Sequence, residues 1–377
     1  MKTVGIICEY NPFHNGHLNQ FRLIRERCGA DTAIVCLMSG NYVQRGAPAI
    51  LDKSIRAKAA LLSGADLVLE LPAEIALCSA EGFAAGGVAV LSRCCDALCF
   101  GTESMDAPAL LQAAQALLSP AFPPLLKEAL AAGCSFPTAR ANALQQMGIF
   151  CDLGSPNNIL GVEYTKAILQ QGCNMEPLPV FRSGGYHDSI LDAAAPSATA
   201  VRGQMAIGGN WEGAVPPAAA SLFRGAALHS LEAGERAILA RLRTMSDEEF
   251  AAVPYGSEGL WRKLMKACRS YPSLPVIADS VKSKRYTRTR IDRMILCAFL
   301  GLTADRMGVV PPIIRVLGFT DRGRAILKAH PEFRNAGEEV TPEEVRLGSL
   351  YGLFCTQGVE PPDAEEKRRI YYHKETS

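Results

Sequence analysis

The chain has 377 residues, of which 48% are hydrophobic and 20% charged, and its formal net charge is +1. This length is enough for two domains with a sizeable core. Because the chain is almost neutral, any surface that binds nucleic acid must come from local clusters of basic residues. No signal-peptide pattern opens the sequence and no apolar run reaches membrane-spanning length, so we expect a cytoplasmic protein that does not contact a membrane.

The first half of the chain alternates short apolar runs with helical patterns. The apolar runs predict strands at 3–8, 32–40, 65–72 and 96–104. The first helix is expected to stop at Gly29, the second to run from an N-cap at Asp52 to Gly64, and the third to cover 79–93. This alternation predicts an α/β fold whose parallel sheet is covered on both faces.

The rest of the chain is predicted to be mostly helical. In "SPNNILGVEYTKAI", Ser155 is the expected N-cap and Pro156 the first helical residue. One further strand is expected to end near Arg182, and Ser197 should cap the helix that follows. Beyond about 205 no strand alternation is visible. We therefore expect a sheet-containing domain at 1–205 and a mostly helical domain at 206–377.

Thirteen cysteines are present, and none of them form a CxxC pair. The closest set, Cys94, Cys95 and Cys99, lies in an apolar stretch without a nearby histidine. Free thiols in a reducing compartment are favoured over a metal site, because buried cysteine behaves as a small apolar residue.

The stretch "EYNPFHNGHLNQ" contains His14 and His17, two of only six histidines in the chain. A zinc ion would need a third and usually a fourth ligand, but the other histidines are scattered, so no metal site is predicted here. The stretch follows the first predicted strand and opens a helix, whose free N–H groups suit phosphate. Gly16 allows a close backbone approach, and two imidazoles can donate hydrogen bonds to phosphate oxygens. Phosphate binding is therefore the favoured interpretation.

"HNGH" after a first strand resembles the HxGH signature of the nucleotidylyltransferase superfamily. "PSATAVR" resembles the late SxTxxR element of the same superfamily, in which Ser197, Thr199 and Arg202 would open a helix and hold the outer phosphates of ATP. Taken alone, Ser197 is equally a plain helix cap. The chain has no Walker A motif and no Gly-Lys dipeptide, which argues against the commonest other ATP-binding design.

Longer segments narrow the resemblance. "GIICEYNPFHNGH", "MSGNYVQRGAPAILDKSIRA", "GADLVLELP", "FGTES", "SPNNILGVEYTKA", "SGGYHD" and "KSKRYTRTRIDR" together resemble the bacterial tRNA(Met) cytidine acetate ligase family. The resemblance implies a Rossmann-like nucleotidyltransferase domain, a helical C-terminal domain, and acetylation of the wobble cytidine of elongator tRNA(Met) to N4-acetylcytidine from acetate and ATP. It also implies ATP contacts at Ile7, Cys8, Glu9, Tyr10, Asn11, Pro12, Phe13, His14, Asn15, Gly16, His17, Leu18, Asn19, Gln20, Gly101, Asn157 and Arg182.

The implied chemistry suits these residues. A carboxylate such as acetate is already ionised at neutral pH, so its attack on the α-phosphate of ATP needs no general base. Catalysis would then come from positioning and from charge stabilisation by His14 and His17, with Arg182 and Arg202 as further cations. Magnesium is expected to accompany ATP, although the sequence names no ligand for it.

Asp52 and Lys53 allow two interpretations. In one, Asp52 caps a helix and Lys53 is solvated. In the other, Asp52 lies at the edge of the active site and acts in catalysis by orienting a substrate amine or a cation. Gln44 and Arg45, in the preceding loop, are expected at the entrance for acetate or tRNA.

A basic segment predicts contact with RNA. It contains Lys282, Lys284, Arg285, Tyr286, Arg288, Arg290 and Arg293 with a single acid, Asp292. Basic residues neutralise phosphates, and a tyrosine can stack on an unpaired base. A second cluster follows at helical spacing, at Arg262, Lys263, Lys266 and Arg269. The alternative is a pair of solvated helix faces.

Two other functions remain open at this point. An adenylyltransferase acting on a small phosphorylated precursor would not need the basic clusters. A nucleotide-binding module without catalysis, serving as an RNA-binding or regulatory protein, would not need the intact histidine pair and the SxTxxR residues.

Overall fold

The computed structural model describes residues 1–181, 191–192, 196–333 and 340–374. The strands are β1 (Thr3–Cys8), β2 (Ala33–Ser39), β3 (Tyr42–Val43), β4 (Ala47–Pro48), β5 (Leu67–Leu71), β6 (Ala97–Thr102), β7 (Glu176–Phe181), β8 (Val316–Phe319) and β9 (Tyr371–Tyr372). The helices of the first half are α1 (Asn15–Cys28), α2 (Lys53–Leu62), α3 (Ala73–Ala76), α4 (Ala80–Leu91), α5 (Ala107–Leu118), α6 (Phe122–Ala131), α7 (Phe136–Gln146), α8 (Pro156–Gln171) and α9 (Ala198–Ala206). Those of the second half are α10 (Pro217–Phe223), α11 (Leu231–Thr244), α12 (Asp247–Ala252), α13 (Leu260–Ser270), α14 (Leu274–Val281), α15 (Arg288–Leu300), α16 (Asp321–Ala329), α17 (Pro342–Tyr351) and α18 (Ala364–Lys367).

Seven of these strands form one sheet, in the order β7–β6–β1–β2–β5–β8–β9. The five strands from β7 to β5 are mutually parallel, whereas β8 runs antiparallel to β5 and β9 runs parallel to β8. The chain order reverses between β1 and β6, so the carboxyl ends of these two strands flank a crevice of the kind where α/β sheets bind ligands. The predicted parallel sheet is confirmed.

Helices cover both faces of the sheet. Val4 and Ile6 of β1 face one core, where they pack with Phe21 of α1 and Leu61 of α2. Ile7 faces the opposite core, with side chains from α4, α5 and α8. All seven residues of β2 are buried, which explains its unbroken apolar run, since a strand covered on both faces needs no polar side.

The expectation that no strand occurs beyond 205 is wrong, because β8 and β9 return to the sheet from the last third of the chain. Their lengths of four and two residues are too short to show a period-two pattern in the sequence. The second half does contain a helical core, in which Ile238, Leu264 and Met294 are fully buried. The division at 205 therefore stays a prediction, and it omits the strands that extend the sheet.

All thirteen cysteines are free thiols, and seven of them are buried, as the sequence predicted. Within the described ranges, no single helix is long and apolar enough to cross a membrane. The helices α5 and α6 meet that requirement only as a pair, which is bent by 78°.

Candidate active site

A cavity of about 570 Å³ opens at the carboxyl edge of the sheet, beside the crevice between β1 and β6. The end of β1 and the loop after it form one wall, and the starts of α8 and α9 form others. Parallel strands and the helices that follow them direct their carboxyl ends and amino ends, respectively, to this edge. The sequence had predicted a site at this position.

His14 and His17 lie at the start of α1 and cap it reciprocally. His14 is the N-cap residue and accepts a hydrogen bond from the backbone N–H of Gly16 through Nδ1, at 3.1 Å. The backbone N–H of His14 donates to Nδ1 of His17 at 3.2 Å. The two rings are stacked, with centroids 3.7 Å apart. This arrangement gives the histidines the roles that Ser and Glu have in an ordinary capping box.

The capping bonds decide which nitrogen can face a ligand. Because Nδ1 of each ring accepts a backbone N–H, the proton of the neutral imidazole must be on Nε2, which is then a donor. A side chain at Gly16 would meet the His14 ring, since a Cβ there would lie 2.9 Å from Cε1. Glycine between the two histidines is therefore required by their own packing, in addition to any ligand.

The loop that links β1 to α1 is held by two arginines. Arg202 donates to the backbone carbonyl of Asn11 at 2.6 Å, and Arg56 donates to that of Glu9 at 2.6 Å. The Asn11 side chain accepts a hydrogen bond from the N–H of Ile50 at 2.7 Å. Tyr10 has a φ of +43°, an uncommon value for a residue with a side chain. The loop geometry is therefore set by contacts from distant parts of the chain.

The SxTxxR element lies at the start of α9, where the sequence predicted a helix N-terminus. Ser197 is its N-cap residue and accepts a hydrogen bond from the N–H of Ala200. Thr199 accepts a hydrogen bond from Arg202 at 3.2 Å. All three side chains line the cavity, so the cap role and a phosphate role are compatible.

The opposite wall depends on a residue that the sequence did not single out. Glu103, in the loop after β6, accepts hydrogen bonds from the Asn157 side chain at 2.6 Å and from the backbone N–H of Asn158 at 2.9 Å. Ser155 occupies the N-cap position of α8, but its side chain does not cap the helix; its hydroxyl donates to Asp152 instead. Glu103 thus fixes Asn157 at the cavity. The motif "FGTES" contained this residue, but only the fold shows its partner.

Most predicted ATP contacts line the cavity. These are Ile7, Cys8, Glu9, Tyr10, Asn11, His14, Gly16, His17, Asn19, Gln20, Gly101, Asn157, Ser197, Thr199 and Arg202. Four do not: Phe13 and Pro12 are buried in the loop, Leu18 faces outward, and Asn15 donates to the carbonyl of Gly213. Arg182 lies outside the described residues. The assignment of ATP contacts to individual residues stays a prediction.

Asp52 and Lys53 lie outside the cavity lining, and their partners favour a structural role. Asp52 caps α2 by accepting from the N–H of Ser54, and both its oxygens lie 2.7 Å from Arg368. Burial opposes the shift, but Arg368 and Ser54 lower the pKa of Asp52. Lys53 is 3% exposed and pairs with Glu70 and Glu365, each at 2.7 Å. The cap prediction is confirmed, whereas the expectation of a solvated Lys53 is wrong.

Gln44 and Arg45 line the cavity and connect it to the basic segment. The backbone N–H of Gln44 donates to Glu9 at 2.9 Å, and its carbonyl accepts from Arg293 at 3.4 Å. A Cβ at Gly46, whose φ is +78°, would lie 2.5 Å from the Arg293 backbone. The loop after β2 is therefore packed directly on the start of α15.

The basic segment divides into exposed and internally paired residues. Lys282, Lys284 and Arg285 are exposed, although Arg285 also lies 2.5 Å from Glu258. Arg288 pairs with Asp279 and Asp292, while Arg290 donates to the carbonyl of Tyr255 and packs over the Tyr286 ring. In the second cluster, Arg262, Lys263, Lys266 and Arg269 are all exposed on α13. The surface available to a polyanion is thus smaller than the sequence indicated.

Comparisons with known proteins agree with this geometry. Residues 1–335 match the model of the family described as HIGH Nucleotidyl Transferase. The tRNA(Met) cytidine acetate ligase of Syntrophotalea carbinolica is 38% identical over 87% of this chain and 82% of its own, and that of Halalkalibacterium halodurans is 34% identical over 98% and 95%. Crystal structures of Thermotoga maritima TmcAL, one apo and one bound with alpha-thio ATP, cover 100% of both chains with TM-scores of 0.89 and 0.87 at 30% and 29% identity. The chain therefore belongs to the HIGH nucleotidyl transferase family and, within it, to the tRNA(Met) cytidine acetate ligases.

Proposed function

We propose that the protein uses ATP and acetate to acetylate the wobble cytidine of elongator tRNA(Met), forming N4-acetylcytidine through an acetyl-adenylate. The observation that carries this proposal is the capped pair of His14 and His17 in a cavity at the carboxyl edge of the sheet. The names of its relatives support the choice of tRNA and acetate as substrates.

In the first step, an acetate oxygen attacks the α-phosphorus of ATP and forms a bond to it. The bond from that phosphorus to the bridging oxygen breaks, and pyrophosphate leaves. His14 and His17, each with Nε2 as a donor, would stabilise the charge that develops on the phosphate oxygens. Arg202 and the N-terminus of α9 would hold the outer phosphates.

Magnesium is expected to accompany ATP, and the cavity suits a metal held mainly by the nucleotide. Among the described residues that line it, Glu9 carries the only carboxylate. One of its oxygens already accepts a hydrogen bond from Gln44. Magnesium sites commonly use one or two carboxylates together with phosphates and water. Glu9 would therefore be the protein ligand, and the ion would neutralise charge on the triphosphate.

In the second step, the exocyclic amine of cytidine attacks the carbonyl carbon of acetyl-adenylate. The bond from that carbon to the phosphate oxygen breaks, AMP leaves, and the amine loses a proton to solvent. The base must leave its stack, which is easier in an anticodon loop than in a duplex. The contact between Gln44 and α15 supports an approach of tRNA from the basic segment, since it joins that segment to the cavity rim.

The test is to incubate the protein with ATP, labelled acetate and bulk bacterial tRNA, with a parallel reaction that lacks tRNA. Label is expected in a cytidine of methionine tRNA, together with AMP and pyrophosphate. Pyrophosphate release that depends on a different small molecule, without labelled tRNA, would instead identify a small-molecule adenylyltransferase. Binding of tRNA and ATP without any turnover would identify a non-catalytic module.

A cytoplasmic location is part of this proposal. Both ATP and tRNA are available there, and thirteen free cysteines suit a reducing compartment.

A further inference from the structure

Three residues of different ligand types meet where the start of α11 packs against the C-terminal part of the chain. The ligand atoms of His229, Cys355 and Glu360 all lie within 4.8 Å of one another, and Nε2 of His229 is 3.2 Å from a carboxylate oxygen of Glu360. The backbone holds them there: His229 and Cys355 form an antiparallel bridge, which is flanked by a hydrogen bond from Ser230 to Phe354 at 2.9 Å.

The His229 side chain is fully buried without a hydrogen bond from the described residues. Its exposure is 0%, and neither ring nitrogen has a hydrogen-bond partner there. Glu360 lies within ion-pair range, but the two groups do not meet hydrogen-bond geometry. One face of the ring stacks on Tyr351, with centroids 4.0 Å apart, which fixes the ring plane. Buried polar groups are normally satisfied, so this ring requires an explanation.

We propose that His229, Cys355 and Glu360 form a binding site for a divalent transition-metal ion, with zinc as the best match. Imidazole nitrogen, thiolate sulfur and carboxylate oxygen are the three donor types that proteins offer to zinc. Calcium and magnesium prefer sites made entirely of oxygen. The thiolate and the carboxylate together carry two negative charges, which balance the charge of the ion.

The dimensions fit zinc after a small closure of the side chains. Bond lengths of about 2.0–2.3 Å place ligand atoms roughly 3.3–3.8 Å apart around a tetrahedral ion. The Cys355 thiol would lose its proton on binding, as metal-bound cysteines do. Burial lowers the pKa of His229, although Glu360 and Asp52 oppose the shift; the neutral imidazole then presents a lone pair to the ion. Three protein ligands leave one position for water.

The ion would stabilise part of the cavity wall. His229, Ser230 and Leu231 all line the cavity, and Ser230 caps α11. A metal ion bound by His229 and by the segment 355–360 would hold this wall against the C-terminal chain. The site is independent of the proposed reaction, because it uses none of the residues assigned to ATP or acetate.

The test uses Co²⁺ as a spectroscopic probe on the full-length, reduced and metal-free protein. Titration is expected to give the visible bands of four-coordinate cobalt and a thiolate-to-cobalt charge-transfer band, and Zn²⁺ should displace both. Cys355→Ser should abolish the charge-transfer band, and Glu360→Gln should weaken cobalt affinity by more than about tenfold.

Cys134→Ser is the matched control, because Cys134 is a partly buried thiol in the loop before α7, away from the cluster. It should bind cobalt as the wild type does. The proposal is overturned if the wild type shows no charge-transfer band, or if Cys355→Ser retains it. Cobalt absorption without a thiolate band would point to His14 and His17 and would also overturn it. Circular dichroism of each variant shows whether a loss of binding reflects a loss of folding.

Discussion

Replacement of Arg56 by Met tests whether one buried arginine holds the loop that precedes α1. Arg56 is 0% exposed on α2, and its guanidinium donates to four backbone carbonyls. These belong to Leu51 at 2.8 Å, Glu9 at 2.6 Å, Ser39 at 3.0 Å, and Gly40. The last three lie at the ends of β1 and β2, so Arg56 fixes both strand ends at the edge that carries the cavity.

The expected loss of stability can be worked from these contacts. Each buried carbonyl left without a donor costs about 1–3 kcal/mol, and the desolvation of the charge, which methionine removes, offsets part of the total. We therefore expect Arg56→Met to lower the free energy of unfolding by about 3–5 kcal/mol. Arg56→Lys should recover little of it, because an ammonium group cannot reach four carbonyls in fork geometry.

Urea unfolding followed by circular dichroism measures this loss as a lower denaturation midpoint. Arg22→Met is the matched control: Arg22 is 59% exposed on α1, and we expect a change within about 0.5 kcal/mol. A loss below about 1 kcal/mol for Arg56→Met would refute the anchoring role. If the anchoring is correct, the affinity for ATP should also fall, since the Glu9 carbonyl belongs to the cavity loop.

The other predictions concern the histidine pair, the basic segment and the C-terminal ion pairs. His14→Ala and His17→Ala should each reduce acetate-dependent exchange of pyrophosphate into ATP by about 100-fold or more, with tRNA affinity unchanged in filter binding; equal losses of both would indicate a structural pair. Lys284→Ala with Arg285→Ala should weaken tRNA binding and lower the salt slope of log Kd by about 1, with exchange retained, while Lys127→Ala serves as an exposed control on α6; an unchanged slope would exclude contact there. Burial opposes the shift, but Lys53, Arg368 and Arg315 hold the pKa of Glu365 below its ordinary 4.5; its contribution is therefore present above that pH and is lost as the pH falls through the lowered value. The difference in melting temperature between wild type and Glu365→Gln should accordingly shrink on acidification from about pH 7 to about pH 4, and a constant difference would contradict this.

Local patterns explain why so much of the sheet and one side of the site were predictable. The unbroken apolar run of β2 follows from its burial on both faces, and Asp52 caps α2 through a partner two residues away. His14, Gly16 and His17 form their capping bonds within four residues of sequence. Interactions of this range depend on the order of residues alone, so the start of α1 could be assigned before the fold was known.

Distant partners decided the rest. Asp52 was open to a catalytic interpretation until Arg368, 316 residues away, was found beside it. Lys53 meets Glu365, Glu103 meets Asn157, and His229 meets Cys355 only because the sheet and the returning C-terminal chain bring them together. The sequence by itself determined the strands, the caps and the family signatures, since these depend on neighbouring residues. Tertiary structure alone decided which charges are paired inside the protein and which residues face the cavity, because closing the chain over long separations leaves no periodic signal in the sequence.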